Sequence, residues 1–87
     1  MEFAGKRVLI LGGGVTGSAV AKITEELGAS VKVADEKPLP DFAIHPINDY
    51  ANLDYDLAVV SPGWKPDHPL IKAIKSAGIE ITNEVDI

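Results

Sequence analysis

The segment Gly12-Gly13-Gly14-Val15-Thr16-Gly17 spells G-x-G-x-x-G, and its flanks leave few folds open to a chain of 87 residues. Residues 8–11 before it form a short continuous apolar run, the mark of a strand buried on both faces as in a parallel sheet. After it, Val20, Ile23 and Leu27 recur at i, i+3 and i+7 between Lys22, Glu25 and Glu26, which predicts an amphipathic helix with Gly28 at its C-terminal cap. Residues 31–35 read as a second strand, β-branched at Val31 and Val33. Strand, glycine turn, helix and strand make one βαβ crossover. There Gly12 permits the tight turn, Gly14 lets the backbone approach a phosphate, and Gly17 lets the helix pack on the strand. Free amides at the helix start face an anion, and Thr16 adds a hydroxyl donor. A ligand-free strand-to-helix turn would use the same glycines.

Asp35 ends the second strand 23 residues after Gly12, near the spacing at which an acidic side chain accepts from a ribose hydroxyl. An exposed strand-end carboxylate is also common in any fold. Glu36 and Lys37 follow it, within reach of a sugar or base. Residues 36–56 are interrupted by Pro38, Pro40 and Pro46 and read mostly as loop, with a short third strand near 43–45 and one helical turn near 49–53. Only residues 36–42 separate the second strand from the third, too few for a helical crossover. Residues 57–60 form another buried apolar run, ended by Ser61, Pro62 and Gly63. Pro69 suits the first position of a helix whose Leu70, Ala73, Ile74 and Ala77 share a stripe, and His68 before it reads as a cap rather than a catalytic group. Residues 79–82 complete the series as a last strand. Right-handed crossovers leaving the first strand in both directions give a three-layer α/β domain with a parallel sheet ordered 3-2-1-4-5, the third strand short or absent. Ligands of such sheets bind outside the strand C-termini, where Ser61-Pro62-Gly63 would stand.

Composition narrows the partners. With 13 acidic against 8 basic side chains the net charge is −5, and without a Lys/Arg run neither nucleic acid nor an anionic membrane surface is expected as a partner. An anionic ligand would have to be held by backbone amides. Zero cysteines exclude a disulfide framework and a thiolate metal site, and fit a cytoplasmic protein. Lys6 and Arg7 before the apolar residues 8–21 imitate a signal peptide, but four glycines in that run would weaken the helix such a segment needs. No spacing of Ser, His and Asp, no acid and base pair and no metal-ligand pattern emerges, so the chain carries a binding site without a visible catalytic one.

Beyond the glycine motif, Gly5-Lys6-Arg7-Val8 leads into it, and Asp56-Leu57-Ala58-Val59-Val60-Ser61-Pro62-Gly63, Pro66-Asp67-His68-Pro69-Leu70, Ala77-Gly78-Ile79-Glu80 and Glu84 follow it. In these residues the whole chain resembles the N-terminal domain of the Mur ligases of peptidoglycan synthesis, specifically the D-glutamate-adding branch. The resemblance implies a single Rossmann-like domain over residues 1–87, part of a three-domain ligase, that holds the UDP moiety of UDP-N-acetylmuramoyl-L-alanine. Matching positions would put Val15 and Thr16 at the diphosphate, Asp35, Glu36 and Lys37 at the uridine, and Ser61 and Gly63 on the crevice side. ATP and magnesium are implied for the central domain, which with a C-terminal domain would be this segment's partner in the parent chain. This segment would carry no cofactor and no ligase activity of its own. The sequence departs from the family in a short stretch between Asp35 and Leu57, and in Trp64, which replaces a small aliphatic residue. A NAD-binding regulatory domain or the cofactor half of a dehydrogenase would also use the glycine turn and Asp35. The Ser-Pro-Gly segment favours the ligase. UDP is expected to bind better than NAD, because Ser61 to Trp64 would border the room a second nucleoside needs, while a uridine needs only the Asp35 side.

Overall fold

In the computed structural model, residues 3–12, 15–36, 42–61, 63–65 and 67–83 are described, residues 15, 16 and 83 by backbone alone. The apolar run after Lys6 becomes β1 (Arg7–Leu11), followed by α1 (Val15–Glu26), β2 (Ser30–Ala34), β3 (Ala43–Ile44), β4 (Leu57–Val60), α2 (Pro69–Ser76) and β5 (Glu80–Asn83). The strands form one sheet in the order β3-β2-β1-β4-β5, every pair parallel. This is the Rossmann-like order expected from the sequence, with the third strand present but two residues long. β2 ends at Ala34, so Asp35 lies just beyond the strand that was read as including it.

β1 is central, and its side chains alternate between two cores. Val8 and Ile10 join Val31, Val33, Leu57 and Val59 under Val20 and Ala21 of α1. Leu9 and Leu11 join Ala34 and Ala58 under Leu70 and Ile74 of α2. Burial on both faces is why β1 and β4 read as unbroken apolar runs. Both helices end in the same motif: Gly28 donates to the Glu25 carbonyl and Ala29 to that of Thr24, and Gly78 and Ile79 repeat the pattern on Lys75 and Ile74. The two glycines take positive φ, 97° and 77°.

Of the apolar stripe expected on α1, only Val20 is buried. Gly17, Val20, Ala21 and Thr24 face the sheet, while Ile23 and Leu27 are about half exposed. Small residues let the helix lie close to the strands, and proximity rather than side-chain size selects the face. Thr24 is tolerated there because its hydroxyl donates to the Val20 carbonyl at 2.6 Å. On α2 the buried residues are Leu70, Ile71 and Ile74, and Ala77 is exposed.

Residues 49–53 do not form the expected helical turn. Asp49 does act as a cap, its Oδ1 accepting from the amides of Ala51 and Asn52 at 3.2 Å each. Its carbonyl, which would accept the first intrahelical bond, instead accepts from His45 Nε2 at 2.9 Å. His45 is almost fully buried, and with Nε2 as donor its Nδ1 accepts from the Tyr55 hydroxyl at 2.7 Å. Ile47, Leu53 and Tyr55 thus cover the second core as irregular chain. At the N-terminal edge of the sheet, Arg7 pairs with Asp54 and Asp56, and its side-chain and backbone donors hold the Asp56 carboxyl below the usual range.

Desolvation, reinforced by Asp49 and Asp54, pushes the Tyr55 hydroxyl up to about 12. The unfolded chain loses this proton near pH 10, before the folded one, so between about pH 10 and 12 stability falls as pH rises. In a Tyr50→Phe variant, which leaves one tyrosine, tyrosinate absorbance is expected to rise with a midpoint near 12 when folded and near 10 in denaturant. A midpoint near 10 in both states would show that Tyr55 is solvated.

Candidate functional site

The ladders around β1 run one residue past its end. Gly12 donates its amide to Ala34 at 2.8 Å, and Ser61 donates to Leu11 at 2.9 Å, so three strand ends meet at one point of the C-terminal edge. There the chain must turn into α1, and Gly12 does so with φ at +101°. A Cβ on Gly12 would lie 2.5 Å from Ser61 Oγ, 2.8 Å from its Cβ and 3.0 Å from Trp64 Nε1. The Ser61 hydroxyl donates to the Gly12 carbonyl in a long bond of 3.4 Å. The turn therefore fits only glycine, for backbone and for space.

Beside this junction lies a cleft of about 370 Å³ lined by Asp35 and Glu36 past β2, Ile47 past β3, and Gly63, Trp64, Lys65 and His68 between β4 and α2. It sits at the switch point, where β1 is flanked by β2 and β4. The β4–α2 loop is held by its own turns: Trp64 donates to the Ser61 carbonyl at 3.1 Å and His68 to that of Lys65 at 3.0 Å. His68 caps α2 as expected, its Nδ1 accepting from the Leu70 amide at 3.1 Å. Its ring meets that of Trp64 at 4.6 Å, tilted by 52°.

Of the residues singled out from sequence, Asp35, Glu36 and Gly63 line this cleft, Gly12 and Ser61 form the junction beside it, and Gly17 is buried in α1. Val15 and Thr16 open α1. Gly14, Lys37 and Pro62 lie outside the described residues. Trp64, expected to border the room a second nucleoside would need, lines the cleft together with Asp35. Ile47, Lys65 and His68 were not read as site residues. For Lys65 and His68 the signal was the turn Ser-Pro-Gly followed by a capped helix, which returns this loop over the strand ends. The cleft offers carboxylate acceptors from just past β2, a cation from the loop, and aromatic surface. Such a set has the chemistry to suit a polar, ring-bearing ligand. Among the described residues no group of three His, Asp or Glu side chains is placed to hold a metal ion, and no helix is long and apolar enough to cross a membrane.

Residues 2–45 match the family model for the alanine dehydrogenase/PNT C-terminal domain. That match ends before β4 and so covers the strand, glycine turn, helix and strand that dinucleotide folds share. Similarity to another group runs through the whole chain. It is 38% identical over 97 residues to a UDP-N-acetylmuramoylalanine--D-glutamate ligase of Corynebacterium diphtheriae, covering 99% of this chain and 20% of that protein. With the enzyme of the same name from Streptomyces coelicolor the identity is 34% over 99 residues, covering 99% and 21%. The chain thus spans about a fifth of the length of the curated relatives it matches. Among solved structures, the UDP-N-acetylmuramate:L-alanyl-gamma-D-glutamyl-meso-diaminopimelate ligase from Neisseria meningitides superimposes with a TM-score of 0.75 at 25% identity, over 91% of this chain and 28% of that one.

Proposed function

The chain belongs to the Mur ligase family, as the N-terminal domain of such a ligase, and we propose that it holds the UDP moiety of UDP-N-acetylmuramoyl-L-alanine. The observation that carries this reading is the cleft at the sheet's C-terminal edge, which joins Asp35 and Glu36 to the 63–68 loop beside the glycine turn. On this reading the diphosphate lies over the backbone amides at the start of α1, where a chain of net charge −5 can meet an anion without a basic face. Gly14, Val15, Thr16 and Gly17 form that cradle. Asp35 accepts from a ribose hydroxyl, Glu36 and Lys37 stand at the uridine, and Ser61, Pro62 and Gly63 close the crevice side. ATP, magnesium and D-glutamate belong to the remaining four fifths of the ligase, which uses them to form an amide bond during cell-wall synthesis in the cytoplasm. The chain by itself binds without turning over. Steady phosphate release that is lost on mutating a residue of this chain would contradict that.

The test is a titration of the isotopically labelled chain followed by amide shifts. UDP is expected to move the amides of residues 12–17 and 35 with Kd about 0.1–1 mM, because a few charge-assisted contacts leave about 4 to 5.5 kcal/mol after ordering costs. NAD is expected to bind more weakly, since its second nucleoside would have to find room past Trp64, a wall of the cleft. Asp35→Ala should weaken UDP roughly ten- to hundredfold, the loss of about 1.5 to 3 kcal/mol for a bond to a charged group. NAD binding more tightly than UDP would instead favour a regulatory or dehydrogenase domain, the reading that the match over residues 2–45 supports.

A further inference from the structure

We infer that the indole of Trp64 is the surface on which the base of the bound nucleotide stacks, so that this side chain makes an aromatic base a requirement of the site. The inference rests on the nucleotide reading above and adds to it a residue that sets specificity. Trp64 is the chain's only tryptophan and shares the cleft wall with Gly63 and Lys65, in one cavity with Asp35 and Glu36. It is held in place before any ligand arrives. Its body packs on the second core, its Nε1 lies beside the Gly12 backbone, and the His68 ring meets it at 4.6 Å. His68 is itself fixed by capping α2. An aromatic surface ordered in this way loses little freedom when a ring lies on it.

Charge makes the apolar contact matter. Asp35 and Glu36 are well placed for sugar hydroxyls and the base N–H, but their carboxylates repel a diphosphate, and Lys65 is the one cation among the described residues lining the cleft. Stacking is indifferent to that repulsion and to salt, and each stacked base contributes a substantial share of affinity in other nucleotide sites.

Because Trp64 is the sole tryptophan, its emission reports the contact directly. UDP and uridine are expected to quench it saturably, with a midpoint equal to that of the amide shifts, while inorganic pyrophosphate leaves it unchanged. Trp64→Leu should weaken UDP roughly tenfold without altering the response of the α1 amides to pyrophosphate, and Trp64→Phe should stay within about threefold of the parent. If UDP shifts the amides of residues 15–17 and 35 but both variants bind it with parental affinity, or if pyrophosphate quenches as UDP does, Trp64 only packs and the inference is wrong while the UDP reading stands. If UDP shifts none of those amides in the parent, the UDP reading fails and takes this inference with it. Should Trp64→Leu not fold, Trp64→Phe and the parent's contrast between uridine and pyrophosphate decide the matter.

Discussion

Gly12→Ala is expected to destabilise the domain by about 2 to 5 kcal/mol and to abolish measurable nucleotide binding. Two costs add. The backbone at φ +101° is one that L side chains rarely adopt, and the new Cβ would stand 2.5 Å and 2.8 Å from Ser61 and 3.0 Å from Trp64 Nε1. Neither neighbour is the loose end of a flexible side chain. Ser61 is tied to Leu11 through its amide, and the indole is packed on the core. Relief requires moving the β4–α2 loop away from β1, which opens the wall of the cleft. Gly78→Ala separates the two costs, since that position has φ +77° and nothing within 4 Å of an added Cβ. It should lose only about 1 kcal/mol, the backbone part alone. Adding Ser61→Gly to Gly12→Ala removes the closest clash and should restore part of the stability. Chemical denaturation of the four proteins reads all of this, and equal losses in Gly12→Ala and Gly78→Ala would show that the contact with Ser61 and Trp64 has no steric weight.

The sheet was legible because its grammar is local. A strand buried on both faces shows as an apolar run, and handedness then orders the strands. Asp35, Glu36 and Gly63 could be found because each follows the C-terminal end of such a run, where ligands gather. What escaped depends on contacts between distant residues. Trp64 and Asp35 are far apart in sequence, and only the pairing of β2 and β4 on either side of β1 brings them to one cleft. The helical turn at 49–53 was a sound local reading of a capping aspartate. It fails because the His45 ring, with no partner that spacing reveals, takes the Asp49 carbonyl. Gly17 was read as the point where α1 packs on the strand and is buried, but the rest of that face was misjudged because periodicity weighs large apolar residues such as Ile23 and Leu27, whereas Ala21 is buried by being small.

That misjudgement gives a contrast between two isoleucines on exposed-looking helices of similar pattern. Ile74→Ala is expected to cost about 2 to 5 kcal/mol, for it removes methyl and methylene groups from a fully buried side chain packed against Leu9, Leu11, Ala58 and Leu70. A chain of this length has roughly 4 to 13 kcal/mol of stability in all, so the loss is a large fraction of it and should lower Tm by roughly 10 to 30 °C. Ile23→Ala is expected to change stability by no more than about 0.5 kcal/mol, because the side chain is 48% exposed and alanine is the better helix former. Sequence periodicity alone puts Ile23 on the core side and would rank the two substitutions as equals. Thermal melts of both variants distinguish the two accounts. A loss at Ile23 comparable to that at Ile74 would mean that α1 lies on the sheet turned toward Ile23 and Leu27 rather than toward Gly17, Ala21 and Thr24.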